Sequence, residues 1–102
     1  MTATTLTNNI NIFAQISQRI IKEQEQIIGP LAWDEARKVS GLNVVDSKKG
    51  ELVTTGDGKT IVDSLVSRYV RLFGRASQEV CKEAVHDLIS GLPKEQIPSS
   101  LQ

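Results

Sequence analysis

Apolar residues recur along this chain at three-, four- and seven-residue spacings, and each such stretch closes on a glycine. Phe13, Ile16, Ile20 and Ile27, flanked by Ile12, Ile21 and Ile28, form the first stretch, opposite a face of Gln, Lys and Glu. This spacing is that of an amphipathic helix with one face in a core. Gly29-Pro30 interrupts it, because proline lacks an amide donor and its ring clashes with the carbonyl four residues back. Pro30 suits the first turn of a second helix, predicted over 30–40 with Leu31, Ala32, Trp33, Ala36 and Val39, and Gly41 is placed for a left-handed cap. A third helix is predicted from Thr60, with Asp63 three residues on approximating a capping box. Its face of Ile61, Leu65, Tyr69 and Leu72, widened by Val62, Val66, Val70 and Phe73, is too broad for one neighbour, and Gly74 ends it. A fourth runs from an N-cap at Ser77 through Val80, Ala84, Val85, Leu88 and Ile89 to Gly91, and Pro93 forbids its continuation.

Between Leu42 and Lys59 the period changes. Leu42, Val44 and Val45 precede the polar turn Ser47-Lys48-Lys49-Gly50, and Leu52 to Thr55 follow it. A short β-hairpin and a disordered loop both fit this stretch. A lone two-stranded ribbon is marginal in water, so a hairpin must lie on the helices or pair with another chain. Residues 1–8 read as a flexible start with capping side chains at Thr7, Asn8 or Asn9, order begins near Ile10, and residues 93–102 read as a flexible tail without an element of its own. The expectation is one mainly α domain over 9–92, a compact arrangement of four helices with a small β-hairpin between helices two and three. Helices three and four should form an antiparallel pair or cross at a helix-turn-helix angle.

Charge and cysteine usage bound the function. Twelve basic and twelve acidic residues cancel, so no global field draws the chain to nucleic acid or an anionic membrane. The single cysteine cannot form an internal disulfide, and neither a secretory signal nor an 18-residue apolar run is present, so a cytoplasmic, unanchored protein is expected.

The motifs that suggest chemistry have plainer explanations. Gly56-Asp57-Gly58-Lys59-Thr60 opens a helix as a phosphate-binding loop does, but the glycine required five positions before Gly58 is Val53, so the segment reads as a helix-capping turn. Cys81 and His86 are five apart on one helix and point about 140° apart, which makes them no ligand pair. Cys81 reads as a semi-buried small hydrophobe and His86 as a surface residue. Asp34 and Glu35 read as helix-dipole complement and solubility. Trp33 is expected half-buried with its indole N–H on a carbonyl, or exposed at an interface. Arg68, Arg71 and Arg75 lie along one side of helix three and its exit turn, with Asp63 and Glu79 near enough in sequence to pair with them. No catalytic, cofactor-binding or metal-ligating residue is assigned, and no cofactor is expected. The candidate interaction surface is Trp33, Arg68, Arg71, Arg75, Tyr69 and Phe73.

The string Ile28-Gly29-Pro30-Leu31-Ala32, followed by Tyr69-x-x-Leu72-Phe73-Gly74, resembles small helical modules appended to bacterial signalling and kinase-type regulatory proteins. The resemblance covers residues 15 to 90. It implies a non-enzymatic regulatory or interaction domain, here without a kinase or receiver domain, and carries no catalytic residue across. Because the helical stripes exceed what one small monomer covers, the expected partners are a second copy in a two-fold dimer and another protein. Two alternatives remain. One is a helix-turn-helix DNA binder with residues 47–55 as a wing and the three arginines on phosphates, against which the zero net charge weighs. The other is an enzyme whose site forms across a dimer.

Overall fold

The structure, a computed structural model, describes residues 12–102, so the expected flexible start, its capping side chains and the first residues of helix one lie outside the described residues. It is mainly helical. Helix α1 spans Ile12–Ile28, α2 Leu31–Ala36, α3 Gly58–Phe73 and α4 Ala76–Ile89, and the antiparallel strands β1 (Leu42–Asp46) and β2 (Glu51–Thr54) lie between α2 and α3. Two 3₁₀ turns, Lys94–Gln96 and Ser99–Leu101, follow α4.

Helix α1 is the central element, touching α2, α3, α4 and β2. Ile16, Ile20 and Ile21 are fully buried, as are Val62, Leu65 and Tyr69 on α3 and Cys81 and Val85 on α4. The inward face of α1 is rotated from the expected one. Gln24 is buried, whereas Ile27 is 62% exposed. Gln24 continues the line of Ile20 and Ile21 by steps of four and three, and its amide is accepted at a cost that its hydrogen bonds offset.

The Gly29-Pro30 break turns the chain back over the bundle. Helix α2 is shorter than the predicted 30–40: it stops at Ala36, with Arg37 as its cap, and the chain continues in turns to Ser40. Helix α2 meets α3 at two points, Ala32 with Tyr69 and Glu35 with Arg68. Past α3, Gly74 caps the helix and admits a turn directly into α4, which packs against α3. The cap of α4 itself differs from the sequence expectation: Arg75, not Ser77, precedes its first residue, and Ser90, not Gly91, follows its last.

The hairpin forms and lies on the helices. Leu42 and Leu52 are buried, Leu42 pairs with Thr54 and Val44 with Leu52, and a bulge falls between Val44 and Asp46. The polar turn is held by Asp46, whose Oδ1 accepts from the Lys48 and Lys49 amides, and by Gln18 Nε2, which donates to the Gly50 carbonyl at 2.6 Å. Gly41 has φ +87°, and a Cβ there would stand 2.6 Å from the Thr55 carbonyl oxygen and 3.0 Å from Ile61 Cδ1.

Helix α3 begins two residues before the expected Thr60. Its N-cap is Asp57, whose Oδ2 accepts from the Thr60 amide at 3.2 Å and the Thr60 hydroxyl at 2.5 Å. The capping turn inferred from Gly56-Asp57-Gly58 is therefore present, but the capping residue is the aspartate inside it. Gly58 has a packing reason, since a Cβ there would stand 2.3 Å from the Phe13 ring. Asp63, expected in the capping box, accepts instead from the C-terminal segment: Ser99 Oγ at 3.1 Å, the Ser100 amide at 3.0 Å and Ser100 Oγ at 2.5 Å. With Pro98 and Leu101 buried, residues 93–102 are a packed strap rather than a stretch without an element. Its few apolar residues suffice because helices α3 and α4 already supply the other side of the contact.

Gly41 and Gly29 both have positive φ, but nothing lies within 4 Å of a Cβ at Gly29. Urea unfolding should show Gly29→Ala losing about 1 kcal/mol from backbone strain alone and Gly41→Ala losing roughly 2–3 kcal/mol from strain plus collision. Equal losses would mean that the Gly41 contact relaxes freely.

Candidate functional site

The pair Asp34-Glu35 separates in space. Asp34 stays at the surface with Arg37, whereas Glu35 has only 7% of its side chain exposed. It sits on the inner side of α2, one turn after the buried Ala32. Its Oε1 accepts from Arg68 Nε at 3.1 Å and Nη2 at 3.0 Å, and its Oε2 from Lys38 Nζ at 3.1 Å. Hydrogen bonds from Lys38 and Arg68 hold the carboxyl below the usual carboxylate range against the opposing effect of burial. One turn toward the start of α2, Tyr69 Oη donates to the Ala32 carbonyl at 2.7 Å, and burial pushes the phenol well above its ordinary range.

This arrangement divides the sequence-predicted surface. Trp33 and Tyr69 are buried and belong to the core. The expected carbonyl for the Trp33 indole is not found: neither Trp33 Nε1 nor Ser17 Oγ has a hydrogen-bond partner among the described residues. Arg68 pairs with Glu35 rather than with Asp63 or Glu79. The three-arginine stripe is thus not three free cations. Arg71 and Arg75 are exposed and enter no ion pair among the described residues. Phe73 is exposed beside them.

On the opposite side of α1, Gln24 Nε2 donates to the Ser77 carbonyl at 3.2 Å and to Cys81 Sγ at 3.4 Å, tying α1 to α4. Cys81 is fully rather than partly buried, and burial pushes its thiol up to about 11. A thiol so protected is no nucleophile near neutral pH. His86 is exposed while Cys81 is buried, which keeps the two apart. No group of three or more His, Cys, Asp or Glu side chains is placed to hold a metal ion among the described residues, and no described helix is long and apolar enough to cross a membrane.

Among the described residues, four of the six exposed large apolar side chains lie at one end of the bundle, and the other two, Val45 and Val53, are on the hairpin. The Ala32–Tyr69 and Gln24–Ser77 bonds bring the end of α1, the start of α2, the end of α3 and the start of α4 to the same end of the bundle. Ile27, Leu31, Leu72 and Phe73 all lie at these element ends, each more than a third exposed. Arg71 and Arg75 flank Leu72 and Phe73 in sequence. Ile27 and Leu72 were expected in the core; Gln24, one turn before Ile27, takes an inward position instead, and the buried face of α3 stops at Tyr69, short of Leu72. No known protein family matches the chain, and neither a curated protein nor a solved structure is significantly similar to it.

Two expectations follow. Arg68→Ala leaves a buried carboxylate with Lys38 alone and should cost about 2 kcal/mol in urea unfolding at pH 7. Because the folded Glu35 pKa lies below its reference of 4.5, the pair's stabilisation is complete above that value and is lost as the pH falls through the folded pKa. The gap between wild type and variant should therefore narrow below pH 4.5, and a gap that persists undiminished into strong acid would remove the ion pair as its cause. Separately, Cys81 should resist alkylation by iodoacetamide in the folded protein at pH 8 and react fully in denaturant, as read by mass spectrometry.

Proposed function

We propose that this chain is a non-enzymatic regulatory interaction module whose first partner is a second copy of itself. The observation that supports this reading is the cluster of Ile27, Leu31, Leu72 and Phe73 at one end of the bundle. Exposed apolar side chains gathered at one end of a domain beside charged residues are a usual mark of a protein–protein contact. Arg71 and Arg75 supply positive charge beside Leu72 and Phe73, and the exposed pair of Asp34 with Arg37 follows Leu31 on α2. A patch carrying both signs around an apolar centre suits a two-fold contact, in which each copy meets the same surface rotated. The resemblance to helical modules of signalling proteins agrees with a role in assembly rather than in chemistry.

In such a dimer, burying four large apolar side chains per subunit supplies the hydrophobic centre and the arginines set register. A second protein would then bind the assembled dimer. Sedimentation velocity at high micromolar concentration should return a dimer for the wild type and a monomer for Ile27→Asp or Leu72→Asp, each with an unchanged helical circular-dichroism spectrum. A wild-type monomer under those conditions overturns the self-association.

A further inference from the structure

We propose that the groove between α3 and the turn that follows α2 binds a phosphate monoester group. The groove is open, has a volume of about 520 Å³, and is lined by Lys38, Ser40, Thr60, Ser64, Ser67 and Arg71 together with Arg68, Asp63 and Val39. Val39 is its one apolar contributor, so the groove does not suit a hydrophobic segment. Its chemistry is that of donors.

Counting those donors shows what they lack. Arg68 uses Nε and Nη2 on Glu35, which leaves its other nitrogen's hydrogens and one on Nη2 uncommitted. Lys38 spends one of three N–H donors on the same carboxylate. Arg71 spends none among the described residues. The carboxylates near the groove are already satisfied, Glu35 by these cations, Asp57 by Thr60, and Asp63 by Ser99 and Ser100 of the C-terminal strap. The cations, not the carboxylates, therefore hold the spare hydrogen-bonding capacity. The Thr60 hydroxyl is engaged by Asp57, but those of Ser40, Ser64 and Ser67 make no hydrogen bond among the described residues.

A phosphate monoester matches this set better than a carboxylate does. A carboxylate is satisfied by one bidentate arginine, whereas a phosphate presents three strong acceptor oxygens and nearly two charges at neutral pH. Arg71 and Lys38 supply charge from two sides, and hydroxyls on successive turns of α3 supply neutral donors between them. Glu35 has a positioning role: by binding Lys38 and Arg68 together it keeps both cations at the groove wall. The inference does not rest on the dimer: Arg71 also borders the apolar end proposed to self-associate, but Lys38, Ser40, Ser64 and Ser67 are no part of that surface.

The test is an amide NMR titration of the ¹⁵N-labelled protein with inorganic phosphate and, separately, with a short phosphoserine peptide, each matched in ionic strength by sodium chloride. Saturable shifts should fall on Ser40, Ser64, Ser67 and Arg71 and leave α4 unmoved. Arg71→Gln, an exposed substitution whose fold the same spectrum verifies, should weaken binding about tenfold, the worth of one charge-assisted hydrogen bond. Ile27→Asp should bind as the wild type does, whatever its oligomeric state. Binding of both probes supports the site without preference. Binding of phosphate alone assigns it to small phosphorylated compounds, and binding of the peptide alone assigns it to a phosphorylated chain. No shift with either probe, shifts reproduced by sodium chloride, or full affinity in Arg71→Gln would overturn the proposal.

Discussion

A carboxylate taken out of water needs charged donors close at hand, and at Glu35 that need organises the half of the molecule beyond the Gly29-Pro30 break. Helix α2 is six residues long, too short to hold itself in water by backbone hydrogen bonds alone. It persists because Trp33, Ala32 and Ala36 are buried on one side and because Arg68 and Lys38 close on Glu35. Tyr69 adds a directional bond to the Ala32 carbonyl, so α2 is fixed on α3 at two points roughly one turn apart. The hairpin then follows from where α2 ends: Gly41 passes close to Thr55 and Ile61, and the strands come down over α1.

The polar contacts that join distant elements share one design. Gln24 to Ser77 and Cys81, Arg68 to Glu35, Gln18 to Gly50 and Asp63 to Ser99 and Ser100 each link segments at least thirty residues apart in sequence. A buried polar group stabilises only when its partner is in place, so these bonds favour one register over others of equal hydrophobic burial. In a core built largely from isoleucine, valine and leucine, which pack interchangeably, such register marks matter more than their individual energies.

The surface left by this packing is uneven. One end of the bundle is apolar, with Ile27, Leu31, Leu72 and Phe73, while the groove between α3 and the turn that follows α2 is polar and carries spare cationic donors. These two features adjoin at Arg71, which lines the groove and precedes the exposed Leu72. The proposed dimer contact, which assembles the protein, and the proposed anion site, which reads a charged group, therefore share one arginine. The thiol of Cys81, by contrast, lies inside the helix packing.

Periodicity and breaker residues were sufficient to predict four helices, the break at Gly29-Pro30, the turn at Ser47 to Gly50 and the cap at Gly74, because each depends on local backbone sterics and on which face is apolar. The same local logic dismissed the phosphate-loop resemblance at Gly58, where spacing was wrong. It did not reach Glu35, Gln24 or Asp63. Each is a polar residue whose state depends on a partner more than thirty positions away, although Gln24 and Glu35 do stand in line with buried neighbours at helical spacing, the one signal that marks them. Nor did it decide between core and interface for Trp33 and Tyr69, or place Ile27 and Leu72 outside, since a helical stripe wider than one contact leaves the rotation of the helix open. Only the packing of α1 against three helices at once chose that rotation, and with it the faces left for partners.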